Sequence, residues 1–365
     1  MTLIYWAVGI LIAFSIPAAF KMLFPKEITN KEFLLSSFIS IVIMIGIFFF
    51  LKMNATHDTE ILNGQVTKKY SEEVSCQHSY SCLCVNVCSG SGTNQSCTQV
   101  CQTCYDHDYD IDWVVKSDVG ESIISRVDRQ GTKEPPRWSN VVIGEPFSAE
   151  YSFVNYIKVS PDSLFSGSKS LIQQYAGQIP EYPTVNDYYK YNRVILKEVS
   201  IPNTLNQKIN EFQKKWGPKK QINVILFFVS EKYTQEYFKA VEASWLGGKK
   251  NDTIIITQLD NQNNINWSRV ISRSENKSFD KSVEFDIGNL KTFNEDTFLE
   301  VLDKNIMERF NRENFEKYSY LMNEFTPSGI SIFIGLFASI LINITVAFFA
   351  IREDWFGENR YTYRR

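Results

Sequence analysis

Three long stretches without a charged side chain constrain the fold of this chain more than any other feature. They comprise residues 1–20, 33–51 and 330–351. Each is close to the roughly 20 apolar residues that a helix needs to cross a bilayer core of about 30 Å. We therefore predict three transmembrane helices, at 1–21, 33–51 and 329–351. For the first, a cleaved signal peptide is the alternative, although this stretch lacks a basic n-region.

Basic residues next to the predicted spans indicate their orientation. These residues are Lys21, Lys26, Lys31, Arg352, Arg360, Arg364 and Arg365. Segments 21–32 and 352–365 carry seven basic and five acidic residues, which leaves 31 basic and 36 acidic residues elsewhere. We predict an integral membrane protein with its N-terminus outside. The loop 22–32 and the tail 352–365 are then cytoplasmic, and residues 52–329 are extracytoplasmic.

The composition of the predicted spans and the net charge of the whole chain each exclude one class of function. The charge-free stretches 1–20, 33–51 and 330–351 of these spans contain no Asp, Glu, Lys, Arg or His, so they offer no relay for protons or ions. We interpret their main polar residues, Asn343, Ser36, Ser37 and Ser40, as hydrogen-bonding groups between packed helices. The net charge of the chain is only −3, which excludes nucleic-acid binding through bulk positive charge. We therefore interpret the three predicted spans as membrane anchors.

All seven cysteines of the chain lie within 29 positions. They are Cys76, Cys82, Cys84, Cys88, Cys97, Cys101 and Cys104. The segment that holds them is too polar to be stabilised by burial, and disulfides would stabilise it in an oxidising compartment. We predict three disulfides and one cysteine left over, with a connectivity that the sequence does not determine.

Two other chemistries are open at the cysteine cluster. Zn²⁺ is the first, because His78 and His107 lie within or beside the cluster and Cys101 and Cys104 form a C-x-x-C. However, the regular repeated C-x₂-C spacing of zinc modules is missing. A redox-active C-x-x-C is the second, although no thioredoxin-like strand and helix surround Cys101.

Residues 52–195 are predicted to form a β-rich subdomain that carries the cysteine-rich insert 76–104. The segments before and after the insert alternate polar residues with β-branched or aromatic ones, which predicts two long strands. Asp106, Asp108, Asp110 and Asp112 share one face of the second strand. We interpret them as a solvated face, since they lack the glycine turn and final glutamate of a calcium loop.

From residue 196 onward, helical and strand patterns alternate. An amphipathic helix at 203–217 precedes the apolar run 222–230, and a second helix ending at Gly247–Gly248 precedes the apolar run 253–259. Continuous apolar runs are typical of strands buried on both faces. We predict an α/β sandwich over 196–328, with a long helix from 294 leading into the third span. The whole chain is then an α+β membrane protein.

One motif in this part of the chain resembles a known family. Its residues are Trp245, Gly247, Lys249, Lys250, Asn251, Asp252 and the apolar strand 254–256. This order resembles the TPM domain, a membrane-tethered extracytoplasmic α/β/α domain, and the resemblance covers residues 200–320. Thr253 and the segment 272–279 stand where the family usually has glycines.

The resemblance implies a cation site and an activity. Some members of the family bind divalent cations through acidic residues, and some have been assigned phosphatase activity. Asp252 is the residue that carries over to such a site, which would hold Ca²⁺ or Mg²⁺. The alternative is that Asp252 caps a turn.

We expect a non-enzymatic, membrane-anchored module for interaction or assembly, because the sequence shows no catalytic constellation. It would act in the lipid bilayer on a membrane or extracytoplasmic protein, or on a second copy of itself. A TPM-like metal-dependent phosphatase or cation-binding regulator is the first alternative. A zinc-binding or redox cysteine cluster is the second.

Overall fold

A computed structural model describes residues 2–25, 28–89, 96–160, 169–325 and 328–353 of the protein. The helices are α1 (Thr2–Leu23), α2 (Asn30–Thr56), α3 (Pro136–Ser139), α4 (Lys169–Gln174), α5 (Leu205–Lys220), α6 (Gln235–Ser244), α7 (Ser278–Gly288), α8 (Glu295–Arg309) and α9 (Gly329–Glu353). The strands are β1 (His57–Val74), β2 (Ser79–Ser89), β3 (Ser96–Tyr105), β4 (Asp110–Ser117), β5 (Glu121–Ile124), β6 (Pro146–Val154), β7 (Val185–Asn186), β8 (Lys190–Tyr191), β9 (Val194–Lys197), β10 (Asn223–Ser230), β11 (Asp252–Leu259) and β12 (Ile265–Ser272).

The chain divides into two compact units. Unit 1 comprises Met1–Asp58, Ser152–Lys169 and Asn314–Arg365, and unit 2 comprises Thr59–Tyr151 and Ser170–Glu313. The predicted boundary near residue 195 between two subdomains falls inside unit 2, at β9 (194–197) of the α/β sheet.

Unit 1 contains three helices that, among the described residues, are long and apolar enough to cross a membrane: α1, α2 and α9. This confirms the prediction of three spans by length and composition. The helices contact one another around Tyr5, Met44 and Ile332. Gly9 allows this packing, because a Cβ there would lie 1.9 Å from the sulfur of Met44. Of the predicted cytoplasmic tail 352–365, residues from 354 onward lie outside the described part.

The polar residues of these helices contribute to their packing. The Ser40 hydroxyl on α2 lies within hydrogen-bonding distance of Asn343 Oδ1 on α9, and both side chains are buried. The Asn343 amide also donates to the Ser339 carbonyl at 2.7 Å. The hydroxyls of Ser36 and Ser37 are buried with no partner among the described residues. The interpretation as a helix-packing hydrogen bond is thus confirmed for Ser40 and Asn343.

The first sheet of unit 2 has the strand order β5-β4-β1-β6. Strands β1 and β4 pair antiparallel from Val66–Ser117 to Val74–Asp110, which confirms the two long strands on either side of the cysteines. Apolar side chains of one face form a core that includes Trp113, Val115 and Phe147.

The prediction of a solvated acidic face on the second long strand is wrong for two of its members. Asp110 and Asp112 are buried. The guanidinium of Arg126 donates to Asp110 at 2.7 Å and to Asp112 at 2.6 Å. Arg126 lies 14 residues beyond Asp112, and the period-two alternation gave no sign that this cation would cover the carboxylates.

The second sheet of unit 2 has the order β12-β11-β10-β9, with β9, β10 and β11 parallel and β12 antiparallel. Helices α5, α7 and α8 contribute apolar side chains to the core on one face, and α6 contributes to the core on the other. Every residue of β11 is buried, as are all those of β10 except Ser230. This confirms the prediction that both apolar runs are strands buried on both faces.

The predicted long helix from 294 into the third span is wrong. Helix α8 ends at Arg309, and a 3₁₀ segment at Phe315–Glu324 precedes α9. Residues 311–313 instead pair with 273–275: the amide of Glu275 donates to the Asn311 carbonyl at 2.9 Å, and that of Glu313 donates to the Arg273 carbonyl at 3.2 Å. This pairing satisfies backbone groups that a continuous helix would have used.

Candidate functional site

Six of the seven cysteines lie in the hairpin formed by β2 and β3. The structure pairs them at disulfide distance as Cys82–Cys104, Cys84–Cys101 and Cys88–Cys97. A two-stranded hairpin is marginally stable without a core. Three cross-links stabilise it by restricting the unfolded chain, by about 3 kcal/mol for a single loop of 15 residues. Cys76 is the cysteine left over.

A bulge in β2 distributes the disulfides over the two faces of the hairpin. Cys82 lies opposite Gln102 and Val85 lies opposite Val100, so β2 has one extra residue between these pairs. Leu83 takes the left-handed conformation there, with φ 47°. Because an extra residue reverses the alternation of side chains, Cys82 and Cys84 belong to opposite faces.

The hairpin presents an exposed surface without charge. Residues 76–105 contain no Asp, Glu, Lys or Arg, although 22% of the whole chain is charged. On the face that bears Cys82–Cys104, the apolar side chains of Tyr80, Val85, Val87 and Val100 are 52–60% exposed. We call these four side chains the apolar face of the hairpin.

Cys76 lies at the base of the hairpin, where it is buried. Its Sγ is 3.7 Å from Nδ1 of His107, and that nitrogen is 3.4 Å from Oδ1 of Asp110. Oδ2 of Asp110 accepts hydrogen bonds from the Gln77 amide at 2.9 Å and from Arg126 at 2.7 Å. The hydrogen bond from Gln77 and the charge of Arg126 lower the pKa of Asp110 to about 2, against the effect of its burial.

Asp252 lies at the first position of β11 and is buried. Its Oδ1 accepts from the Asn223 amide at 2.8 Å. Its Oδ2 accepts from the Tyr182 hydroxyl at 2.7 Å and from the backbone N–H of Lys249 at 2.6 Å. Burial raises the pKa of Asp252, and these donors oppose that effect. Asp252 therefore closes the turn that leads into β11, which is the turn-capping role that the sequence left open.

The other residues of the TPM-like motif build the same turn. Helix α6 ends at Ser244, and Leu246, Gly247 and Gly248 all have φ between 53° and 78°. A Cβ on Gly248 would lie 3.0 Å from Ile254 and 3.1 Å from Asp252 Oδ2. The glycine is thus required both by the backbone conformation and by the close approach of Asp252.

A buried arginine next to this turn was not predicted from the sequence. Arg193 is 1% exposed and packs on the ring of Tyr191, 4.5 Å from its centroid. Its guanidinium donates to oxygens of Asn210, Asn223, Asn63 and Ser148. Asn223 in turn donates to Asp252, so this one amide group links the buried cation to the buried carboxylate.

Comparison with protein families, with curated proteins and with solved structures found no significant match to this chain.

Proposed function

We propose that the protein is a membrane-anchored interaction module that acts through the apolar face of its hairpin. The observation that carries this proposal is an exposed two-stranded hairpin of about 27 residues, cross-linked three times and without charged side chains. Exposed apolar patches of this kind mark binding surfaces in soluble domains. Disulfides hold the hairpin in one conformation before it binds, which lowers the entropy cost of association.

The two strands also offer unpaired backbone to a partner. Among the described residues, β2 and β3 pair only with each other, so each has one free edge. Proteins usually protect such edges with charged residues, and this hairpin has none. We propose that the partner is a protein that presents an uncharged strand or apolar surface, either another membrane or extracytoplasmic protein or a second copy of the chain.

The extracytoplasmic location of the hairpin belongs to the same proposal. Three disulfides persist in an oxidising compartment and are reduced in most cytosols. The basic residues of loop 22–32 and tail 352–365 favour the opposite side for those two segments. Both arguments support the proposal that residues 52–329 lie outside the cytoplasm.

The contacts of Asp252 favour this function over a TPM-like metal-dependent phosphatase. A cation at Asp252 would have to displace the Tyr182 hydroxyl, the Asn223 amide or the Lys249 N–H from the carboxylate. Loss of such donors from a buried carboxylate is costly. The TPM-like identity of this part of the chain stays a prediction, as does Ca²⁺ or Mg²⁺ binding there.

Site-specific photo-crosslinking of the full chain in its native membrane tests the proposal. A photoreactive residue at Val87 samples the apolar face, and one at the adjacent Asn86 samples the opposite face of the same strand. We expect a discrete protein adduct from position 87 with at least fivefold higher yield than from position 86. Val87→Asp should abolish co-purification of that partner, whereas Asn86→Asp should not. Equal yields at both positions, or no protein adduct, would contradict the proposal.

A further inference from the structure

We propose that Cys76, His107 and Asp110 bind a Zn²⁺ ion at the base of the hairpin. Cys76 precedes β2, His107 follows β3 and Asp110 begins β4, so a bound ion would join the two ends of the hairpin. One ligand atom from each residue, Sγ, Nδ1 and Oδ1, lies within 4.8 Å of the others. This inference does not depend on the proposed interaction function.

Two of the three distances between these atoms are close to those around tetrahedral zinc. With Zn–S near 2.3 Å and Zn–N and Zn–O near 2.0 Å, tetrahedral angles place sulfur and nitrogen about 3.5 Å apart, and nitrogen and oxygen about 3.3 Å apart. In the protein, Sγ of Cys76 is 3.7 Å from Nδ1 of His107, and this nitrogen is 3.4 Å from Oδ1 of Asp110. All three atoms lie within 4.8 Å of one another, so a modest adjustment of the side chains would let them ligate one ion.

The Asp110 carboxylate is oriented for such an ion. Oδ2 is held by the Gln77 amide and by Arg126, so Oδ1 points toward His107 and Cys76. Oδ1 is fully buried and makes no hydrogen bond of normal geometry among the described residues, although His107 Nδ1 lies 3.4 Å away. Such weak satisfaction of a buried carboxylate oxygen is costly, and a cation at this place would stabilise it. Outer-sphere donors that fix a ligating carboxylate are a regular feature of metal sites.

The charges around the site also favour a divalent cation. Asp110 and Asp112 together carry a charge of −2, and Arg126 contributes a charge of +1. A Zn²⁺ ion with a Cys76 thiolate adds +1 and makes the group neutral. The thiolate and imidazole select a borderline-soft metal such as Zn²⁺ over Ca²⁺ or Mg²⁺.

The fourth ligand is a water molecule. The nearest other histidine, His78, lies with its ring centroid 6.2 Å from that of His107, and its Nε2 is 3.0 Å from the Arg129 carbonyl. His78 therefore has its own backbone partner. Zinc with three protein ligands and one water is a common arrangement.

Metal titration of the full chain in detergent tests the proposal. The purified protein is stripped with a chelator under non-reducing conditions and titrated with Zn²⁺ or with Co²⁺, whose thiolate complex absorbs in the near ultraviolet. We expect one equivalent of metal per chain and a thiolate-to-cobalt band. Cys76→Ser should remove the band, and His107→Gln should weaken binding at least tenfold. His57→Gln alters a histidine that contacts Ser152 instead and is the matched control.

A second measurement uses the wild-type chain, so it does not depend on how the variants fold. Zn²⁺ should slow alkylation of Cys76 by N-ethylmaleimide at least tenfold, because a ligated thiolate is protected. Binding of less than 0.2 equivalents together with unprotected Cys76 would overturn the proposal. Stoichiometric binding that Cys76→Ser does not change would also overturn it.

Discussion

Asp280 is a half-buried carboxyl group whose charge opposes folding. One of its oxygens is buried without a hydrogen-bond partner among the described residues. Burial raises the pKa of Asp280 to about 7, and the nearby charge of Glu284 adds to the effect. The folded state therefore binds a proton that the unfolded state releases near pH 4. This lowers the free energy of unfolding progressively as the pH rises from about 4 to 7.

Asp280→Asn should therefore stabilise the protein at neutral and alkaline pH. We expect a free energy of unfolding higher by roughly 1–3 kcal/mol at pH 8, and little difference at pH 4, because the cost of ionising the carboxyl is removed. Thermal unfolding of both chains in detergent across this pH range measures the effect. Glu300→Gln, at an exposed carboxylate of α8, is the control and should change stability little. An equal increase in the free energy of unfolding at pH 4 and pH 8 would show that ionisation of Asp280 is not the cause.

The sequence predicted the cysteine pairing of the candidate site, but it did not predict the buried arginine or the environment of Asp110. The clustering of cysteines predicted three pairs and a remainder, because cysteine spacing is a local property. The burial of Arg193 was not predictable, since its partners Asn63 and Ser148 lie 130 and 45 residues away. Asp110 was one of the four aspartates predicted on one face of the second long strand. Its place in the proposed zinc site depends on Arg126 and Cys76, which only the folded chain brings close to it.

At the scale of elements, helix α5 and strand β1 approach each other very closely at one glycine. A Cβ on Gly217 in α5 would lie 2.1 Å from the backbone carbonyl oxygen of Asn63 in β1. Neither backbone can move without disturbing its own element. Asn63 also accepts a hydrogen bond from Arg193, so displacement of β1 would weaken the buried polar network as well.

Gly217→Ala should destabilise the protein by roughly 2–3 kcal/mol, since overpacking against backbone forces one element to shift. Gly288→Ala is the matched control, because it is also in a helix and a Cβ there meets no atom within 4 Å. Better helix propensity should leave that variant unchanged or slightly more stable. Denaturation midpoints of the two variants provide the comparison. Similar midpoints would show that α5 and β1 are not held at this distance.

Elements with a strong internal pattern were predictable, and those that depend on distant partners were not. The runs 222–230 and 253–259 are predominantly apolar and contain no charged residue, and both form buried strands. The helical pattern from 294 continues past Arg309 without a proline or glycine until Pro327. Its interruption depends on pairing of residues 311–313 with 273–275, a contact across about 38 positions that leaves no local sign.

At the scale of the whole molecule, charge and cysteine are distributed unevenly along the chain. The net charge of −3 combines +2 in segments 21–32 and 352–365 with −5 elsewhere. All seven cysteines fall between positions 76 and 104. A thiol-reactive label therefore measures the exposure of this single segment, whereas the described part of the chain contains three helices able to cross a membrane.

Thiol labelling of intact cells should reveal the side of the membrane that the hairpin occupies. With a membrane-impermeant maleimide, we expect at most one label per chain before reduction, at Cys76, and up to seven after reduction with an impermeant phosphine. Labelling that occurs only in permeabilised cells would contradict the proposed extracytoplasmic location. Labelling of all seven cysteines without reductant would contradict the disulfides.

The absence of charge over residues 76–105 has a consequence for the conditions in which the hairpin can operate. Ionic strength screens attraction between charged surfaces, and acidity neutralises carboxylates, so most polar interfaces weaken when salinity or pH changes. An association made through valine, tyrosine and backbone amides lacks this sensitivity. The proposed association should therefore change little when the salinity or the acidity of its surroundings changes.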